Sequence, residues 1–152
     1  KNRNWRLRKR KNEKVLVQAM RINKAVFRYI EFELYNYEQT KKDLELERER
    51  ILESSPCQEV AVQSDIGDTT ANKAIKLTTS ANIIKNERVI NSIDKAISIL
   101  GEKHAKLFEL KYIDCRPPKE VWLLLGVSDM TYYRYRRELI ATVGQLLGLI
   151  NV

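Results

Sequence analysis

One histidine, two cysteines, five glycines and three prolines in 152 residues leave several kinds of chemistry with little to work on. Cys57 and Cys115 are isolated thiols with no CxxC spacing, and His104 alone cannot complete a zinc set. All three read as structural or incidental, with no metal and no cofactor. The few glycines form no phosphate-cradling loop, no nucleophile has a recognisable base partner, and the carboxylates are scattered along solvated helix faces. An enzyme is therefore not expected. No apolar run reaches bilayer length, and the basic start is not followed by a signal-like stretch. The expectation is a cytoplasmic protein in a reducing compartment, with no membrane partner.

What is present in excess is positive charge, and its placement says more than its total. The net charge is +8, and residues 1–14, "KNRNWRLRKRKNEK", hold eight basic residues against Glu13 alone. The remainder of the chain is nearly neutral. Such an arm, through Arg3, Arg6, Arg8, Lys9, Arg10 and Lys11 with Lys1 and Lys14 beside them, can neutralise phosphates by releasing counterions, and Trp5 can stack on a base. The alternative is a solvated tail.

A chain of this length carries one compact domain, or a small domain with a long helical extension. From about residue 15 to 52 apolar residues recur at steps of three and four: Phe27, Ile30, Leu34 and Tyr37, with Leu44 and Ile51 on the same frame. Lys41 and Arg48 interrupt the stripe, which suits a long helix packed on a neighbour better than a free coiled coil. Residues 53–68, with Ser54, Ser55, Pro56 and Gly67, read as a linker or ordered loop. A second helical stretch runs to about Leu100, with Ile90, Ile93, Ile97 and Leu100 on one stripe, and ends at Gly101. A helix of about 30 residues would be about 45 Å long, too long to bury in a domain of this size, so pairing with the first helix or with another subunit is expected.

Beyond residue 101 the elements shorten. "EKHAKLFELKYI" predicts a helix with Leu107, Phe108 and Leu110 inward. Pro117 and Pro118 break the chain and can open the next helix. Then come "KEVWLLL", the turn "GVS", and a last helix from Asp129 to about Leu149. The spacing fits a helix-turn-helix, whose second helix enters the DNA major groove. Gly126 supplies the turn, Ser128 can cap the following helix, and Val121, Leu125, Val127, Tyr132 and Tyr135 fall at the apolar positions. Trp122 departs from the motif, which usually has a small residue there.

With Tyr132, Tyr135 and Leu139 turned inward, the outward face at the start of the last helix is Asp129, Met130, Thr131, Tyr133, Arg134 and Arg137. The candidate DNA contacts are these six together with Ser128 and Arg136. Arg134 and Arg137 can bond guanine edges or clamp phosphates, and Ser128 and Thr131 are candidates for phosphate contacts at the helix N-terminus. A plain amphipathic helix closing a bundle is the alternative. In "LIATVGQLLGLI", Gly144 permits close packing.

"IEFELYNYEQTKKDLELERERIL", "SDIGDTTANKAIKL" and "LFELKYIDCRPPKEVWLLLGVSDMTYYRYRRELIATVGQLLGL" together resemble phage and prophage late-transcription activators of the RinA and ArpU type, over roughly residues 25–150. The periodicity predicts an all-α protein, with two long N-terminal helices in residues 15–100 and a helix-turn-helix domain in 101–152, and the resemblance implies that this last domain is similar to region 4 of sigma factors. It also implies activation of late phage genes in a bacterial host, with double-stranded DNA and host RNA polymerase or its sigma factor as partners. The reader helix of that family matches Ser128 to Arg137. "SDIGDTT" lacks the proline often found in that cluster, and the basic arm lies outside the resemblance. Two other functions are weighed against this one: the small, terminase-like DNA-recognition subunit of a packaging machine, and a helical polymerase-binding adaptor. A homo-oligomer is expected, a dimer under the activator reading and a ring under the packaging one.

Overall fold

Asn23 opens the first described helix by accepting a hydrogen bond from the Ala25 amide at 2.9 Å, so the first turn begins with one of its orphan donors satisfied. The computed structural model describes residues 22–53 and 69–150, and within them the protein is all-α, with no strand. Its helices are α1 (Lys24–Tyr35), α2 (Tyr37–Glu53), α3 (Thr69–Thr79), α4 (Ala81–Leu100), α5 (Glu102–Phe108), α6 (Pro118–Leu124) and α7 (Asp129–Leu146). The basic arm, Cys57, and residues 54–68 lie outside the described residues.

The two long helices expected from periodicity are each divided. The first stripe breaks at Asn36, a residue type whose side chain competes for backbone hydrogen bonds. The second breaks at Ser80, directly after two threonines. Thr78 bonds back to the carbonyls of Ala74 (3.1 Å) and Ile75 (3.0 Å), a habit that bends helices. The breaks are mild, because the Ser80 amide still reaches Lys76 O and the Ile84 amide still reaches Ser80 O, both at 3.0 Å.

Two compact units result. Unit 2 comprises residues 36–91, where α2 packs on α3, and buries Tyr37, Leu44, Ile83, Val89 and Ile90. Unit 1 takes the described residues up to Tyr35 and those from Ser92 onward. Gly101 lies inside unit 1, between α4 and α5.

The axis of unit 1 is α7, against which α1, α5 and α6 all pack. Its core contains Ile30, Leu34, Ile93, Ala96, Leu107, Val121, Tyr132, Leu139, Ile140 and Val143. After α5 the helix widens into a π-turn, Glu109–Ile113, closed by the Asp114 amide on Glu109 O at 2.9 Å. The extra residue shifts the inward face of the segment. Leu107 and Phe108 are buried as the sequence predicts, but Tyr112 rather than Leu110 completes the buried set. Its ring meets Tyr35 edge-on at 4.9 Å.

Gly144 lies where α7 meets α1. A Cβ there would stand 2.8 Å from Ile30 Cδ1 and closer still to the Ile150 side chain, so only a glycine lets this crossing close without displacement.

Candidate nucleic-acid interface on α7

Pro118 begins α6 with a φ already suited to a helix, and the helix ends in a turn that only a few residue types can make. Gly126 has φ +63°, the left-handed region. Its amide donates to Leu123 O and the Val127 amide donates to Trp122 O, both at 3.1 Å, which satisfies the last carbonyls of α6. Two residues later Ser128, extended at φ −71° and ψ 159°, starts α7 and accepts from the Thr131 amide at 3.3 Å. Asp129 Oδ1 accepts from the Met130 amide at 2.6 Å, which places negative charge at the positive end of the helix dipole.

The two walls of this unit follow from the period of α7. Tyr132, Leu139 and Val121 are buried, with Leu125, Val127 and Tyr135 half-buried. Trp122 is half-buried too, and its indole Nε1 is enclosed with no protein partner among the described residues.

On the other side, Met130 is 80 % exposed and Tyr133 53 %, while Ser128, Asp129, Arg134 and Arg137 are exposed and Thr131 is half-buried. The ring of Tyr133 is braced edge-on by Tyr132 at 5.0 Å. Six of the eight residues singled out on α7 and its cap therefore stand open to solvent, and Thr131 and Arg136 are half-buried.

Arg136 does not join them. Its guanidinium turns toward α1, where Nε donates to Glu31 Oε1 at 2.9 Å and Nη2 also bonds that carboxylate. It lies over the Phe27 ring at 5.3 Å, and the side chain is only 23 % exposed. Burial disfavours its charge, but the hydrogen bond and negative charge of Glu31 more than offset this and hold its pKa above the usual value. Arg136 thus ties α7 to α1 and is turned away from the open row. Periodicity could not find Glu31, because the two residues are 105 positions apart.

Beneath the pair, burial pushes the pKa of Tyr112 far up, and the charge of Glu31 adds to the effect while Arg136 opposes it. Tyr132, also buried, is pushed up to about 12. Neither phenol has a well-formed hydrogen bond among the described residues.

A second polar chain runs behind the open face. Glu138 Oε2 accepts a hydrogen bond from buried His104 Nε2 at 3.0 Å, and its other oxygen lies 3.8 Å from Arg134 Nε. His104 also rests against the Tyr135 ring at 4.7 Å, so the one histidine is held from two sides. Arg134 itself lies over the Tyr135 ring at 5.4 Å.

No family model, curated protein or solved structure matches this chain. Function must accordingly be argued from the residues. Among the described residues no cluster of three or more His, Cys, Asp or Glu side chains could hold a metal ion, and no helix is long and apolar enough to cross a membrane. Cys115 is exposed, with φ +53°.

Proposed function

We propose that this protein is a sequence-specific DNA-binding transcription activator of phage or prophage late genes. In this reading α6 and α7 form a helix-turn-helix resembling sigma factor region 4, and host RNA polymerase or its sigma factor is the protein partner. The observation that carries it is the open row on α7. Behind a glycine turn and a serine cap, Met130, Thr131, Tyr133, Arg134 and Arg137 face solvent from a helix whose opposite side is locked into the core. This is the arrangement that lets a helix enter a major groove with long donor side chains toward base edges. Arg134→Ala should weaken specific binding by about 1–3 kcal/mol with the fold intact.

The test is retention of sheared DNA from the protein's own genome at roughly physiological salt, with the retained fragments sequenced. Enrichment upstream of structural or packaging genes is the expected result. Enrichment at a packaging origin would replace the activator with a packaging subunit, and a flat profile would sink both.

A second reading draws on unit 2. Leu46, Leu52, Ile75 and Ile84 are exposed there among charged side chains, as a helical segment that binds its own copies or a polymerase subunit requires. Light scattering distinguishes a dimer, expected of the activator, from the ring of a packaging subunit. Under the adaptor reading, deleting residues 1–14 should abolish nucleic-acid affinity altogether.

A further inference from the structure

At the start of α7 the polar groups are turned on one another and an apolar side chain is left outermost. Ser128 Oγ accepts from the Thr131 amide at 3.3 Å and lies 3.0 Å from Thr131 Oγ1, and Asp129 Oδ1 accepts from the Met130 amide at 2.6 Å. The full negative charge of Asp129 outweighs the roughly half positive charge of the helix end, so this tip is poorly suited to a phosphate strand. Between these caps Met130, the second residue of α7, is 80 % exposed, more than any other large apolar side chain among the described residues. Tyr133, three residues on and so its neighbour on the helix surface, is also exposed, with its ring braced edge-on by Tyr132 at 5.0 Å. It extends the apolar surface on one side. A side chain as open to water as Met130 adds little to the stability of the fold.

We propose that Met130 is a specificity-determining residue of α7 and recognises a thymine through its C5 methyl group. The inference rests on the DNA-binding reading above and deepens it by naming a base. In a helix-turn-helix the first residues of the second helix meet base edges in the major groove. The groove presents hydrogen-bond donors and acceptors on all four bases and one apolar feature, the thymine methyl. A thioether donates no hydrogen bond and accepts only weakly, so it cannot read guanine, adenine or cytosine by their polar atoms. It can exclude water from a methyl group, and its unbranched, polarisable chain adapts to where that methyl stands. Arg134, four residues on and on the same face, lies about 6 Å further along the helix, one to two base-pair steps of about 3.4 Å. The thymine therefore falls within about two base pairs of the position that Arg134 meets.

The test removes that methyl group alone. The full chain selects a site from a randomised duplex library at roughly physiological salt, where nonspecific phosphate attraction is weakened. Each thymine of the selected duplex is then replaced in turn by deoxyuridine, which keeps every hydrogen-bonding atom and lacks only the methyl. One replacement should weaken binding about three- to fivefold, the worth of burying one methyl group. Met130→Ala should bind the unmodified site more weakly by a similar factor and no longer respond to that replacement. Met130→Leu, apolar and of like size, should keep the response. Circular dichroism checks that both variants stay helical. A selected site without thymine, a site indifferent to every replacement, or a Met130→Ala protein that responds as the unaltered chain does would each overturn the assignment and leave Met130 to a protein partner. If no sequence is enriched at all, the DNA reading falls and this proposal with it, an outcome distinct from a site that ignores its methyl groups.

Discussion

In unit 1 Arg136 is drawn inward to a carboxylate from a distant part of the chain, whereas in unit 2 the Arg48–Glu87 pair remains at the surface. Arg136 and Glu31 are 23 % and 20 % exposed; Arg48 and Glu87, the pair that joins α2 to α4 within unit 2, are 46 % and 39 % exposed. The aromatic content differs in the same direction. Tyr112, Tyr132 and Phe108 are buried in unit 1, while unit 2 has Tyr37 and otherwise aliphatic residues in its interior. Both units are amphipathic helices, so the contrast shows what specificity adds. A stripe of Leu and Ile can be buried by any apolar neighbour, but a guanidinium in a half-dry site tolerates one arrangement, because only a correctly placed carboxylate offsets its desolvation.

The contrast can be broken first in the core. Leu139→Ala, at a fully buried position of α7, should cost about 2–5 kcal/mol of unfolding free energy, and Leu44→Ala, at the edge of the smaller core, clearly less. Equal losses by chemical denaturation would mean that the two interiors are packed alike. The ion pairs give the next largest difference. Glu31→Gln leaves Arg136 without its counter-charge in a partly closed site and should cost about 1–3 kcal/mol, discounted from the buried-pair range for residual solvent. Glu87→Gln should stay within about 1 kcal/mol. A similar cost for both would remove the distinction drawn here.

Ser128→Ala tests how much of α7 depends on its cap, with an expected loss of about 1 kcal/mol and a frayed first turn visible as faster amide exchange at Met130 and Thr131. Alkaline titration sharpens the comparison from another side. Tyr132 has a folded pKa of about 12 and Tyr112 is raised further, both mainly through burial, against an ordinary value near 10. The unfolded chain therefore releases these protons first as pH rises. The stability they contribute is complete below pH 10 and declines from there upward through about 12. A midpoint temperature that stays flat across that window would show that these phenols are not closed off from water.

Much of α6 and α7 was legible in the sequence because its signals are local. A left-handed glycine at 126, a serine cap at 128 and the three- and four-residue spacing of Tyr132, Tyr135 and Leu139 need no knowledge of the rest of the chain. The outward positions of Met130, Tyr133, Arg134 and Arg137 follow from the same count. Legibility ended where a side chain chose a remote partner. Arg136 differs from Arg137 by one position and by nothing in composition, yet it is withdrawn by Glu31 on α1. Lys24, in α1, lines one cavity with Tyr133 and Arg137 of α7, a neighbourhood that spacing along the chain does not show. Tyr112 reached the core only because a π-turn changed the phase of its segment, and no residue type announces such a turn.

The sequence by itself determined that the described chain is helical, where α6 turns into α7, and which side of α7 is apolar, since each depends on backbone preferences and spacing within a few residues. The tertiary structure alone decided that residues 36–91 form their own unit, which arginine is tied to α1, and that a basic cavity opens beside the exposed face. Those outcomes depend on which distant surfaces meet and which charges lose their water when they do, and neither is encoded in the spacing of neighbours along the chain.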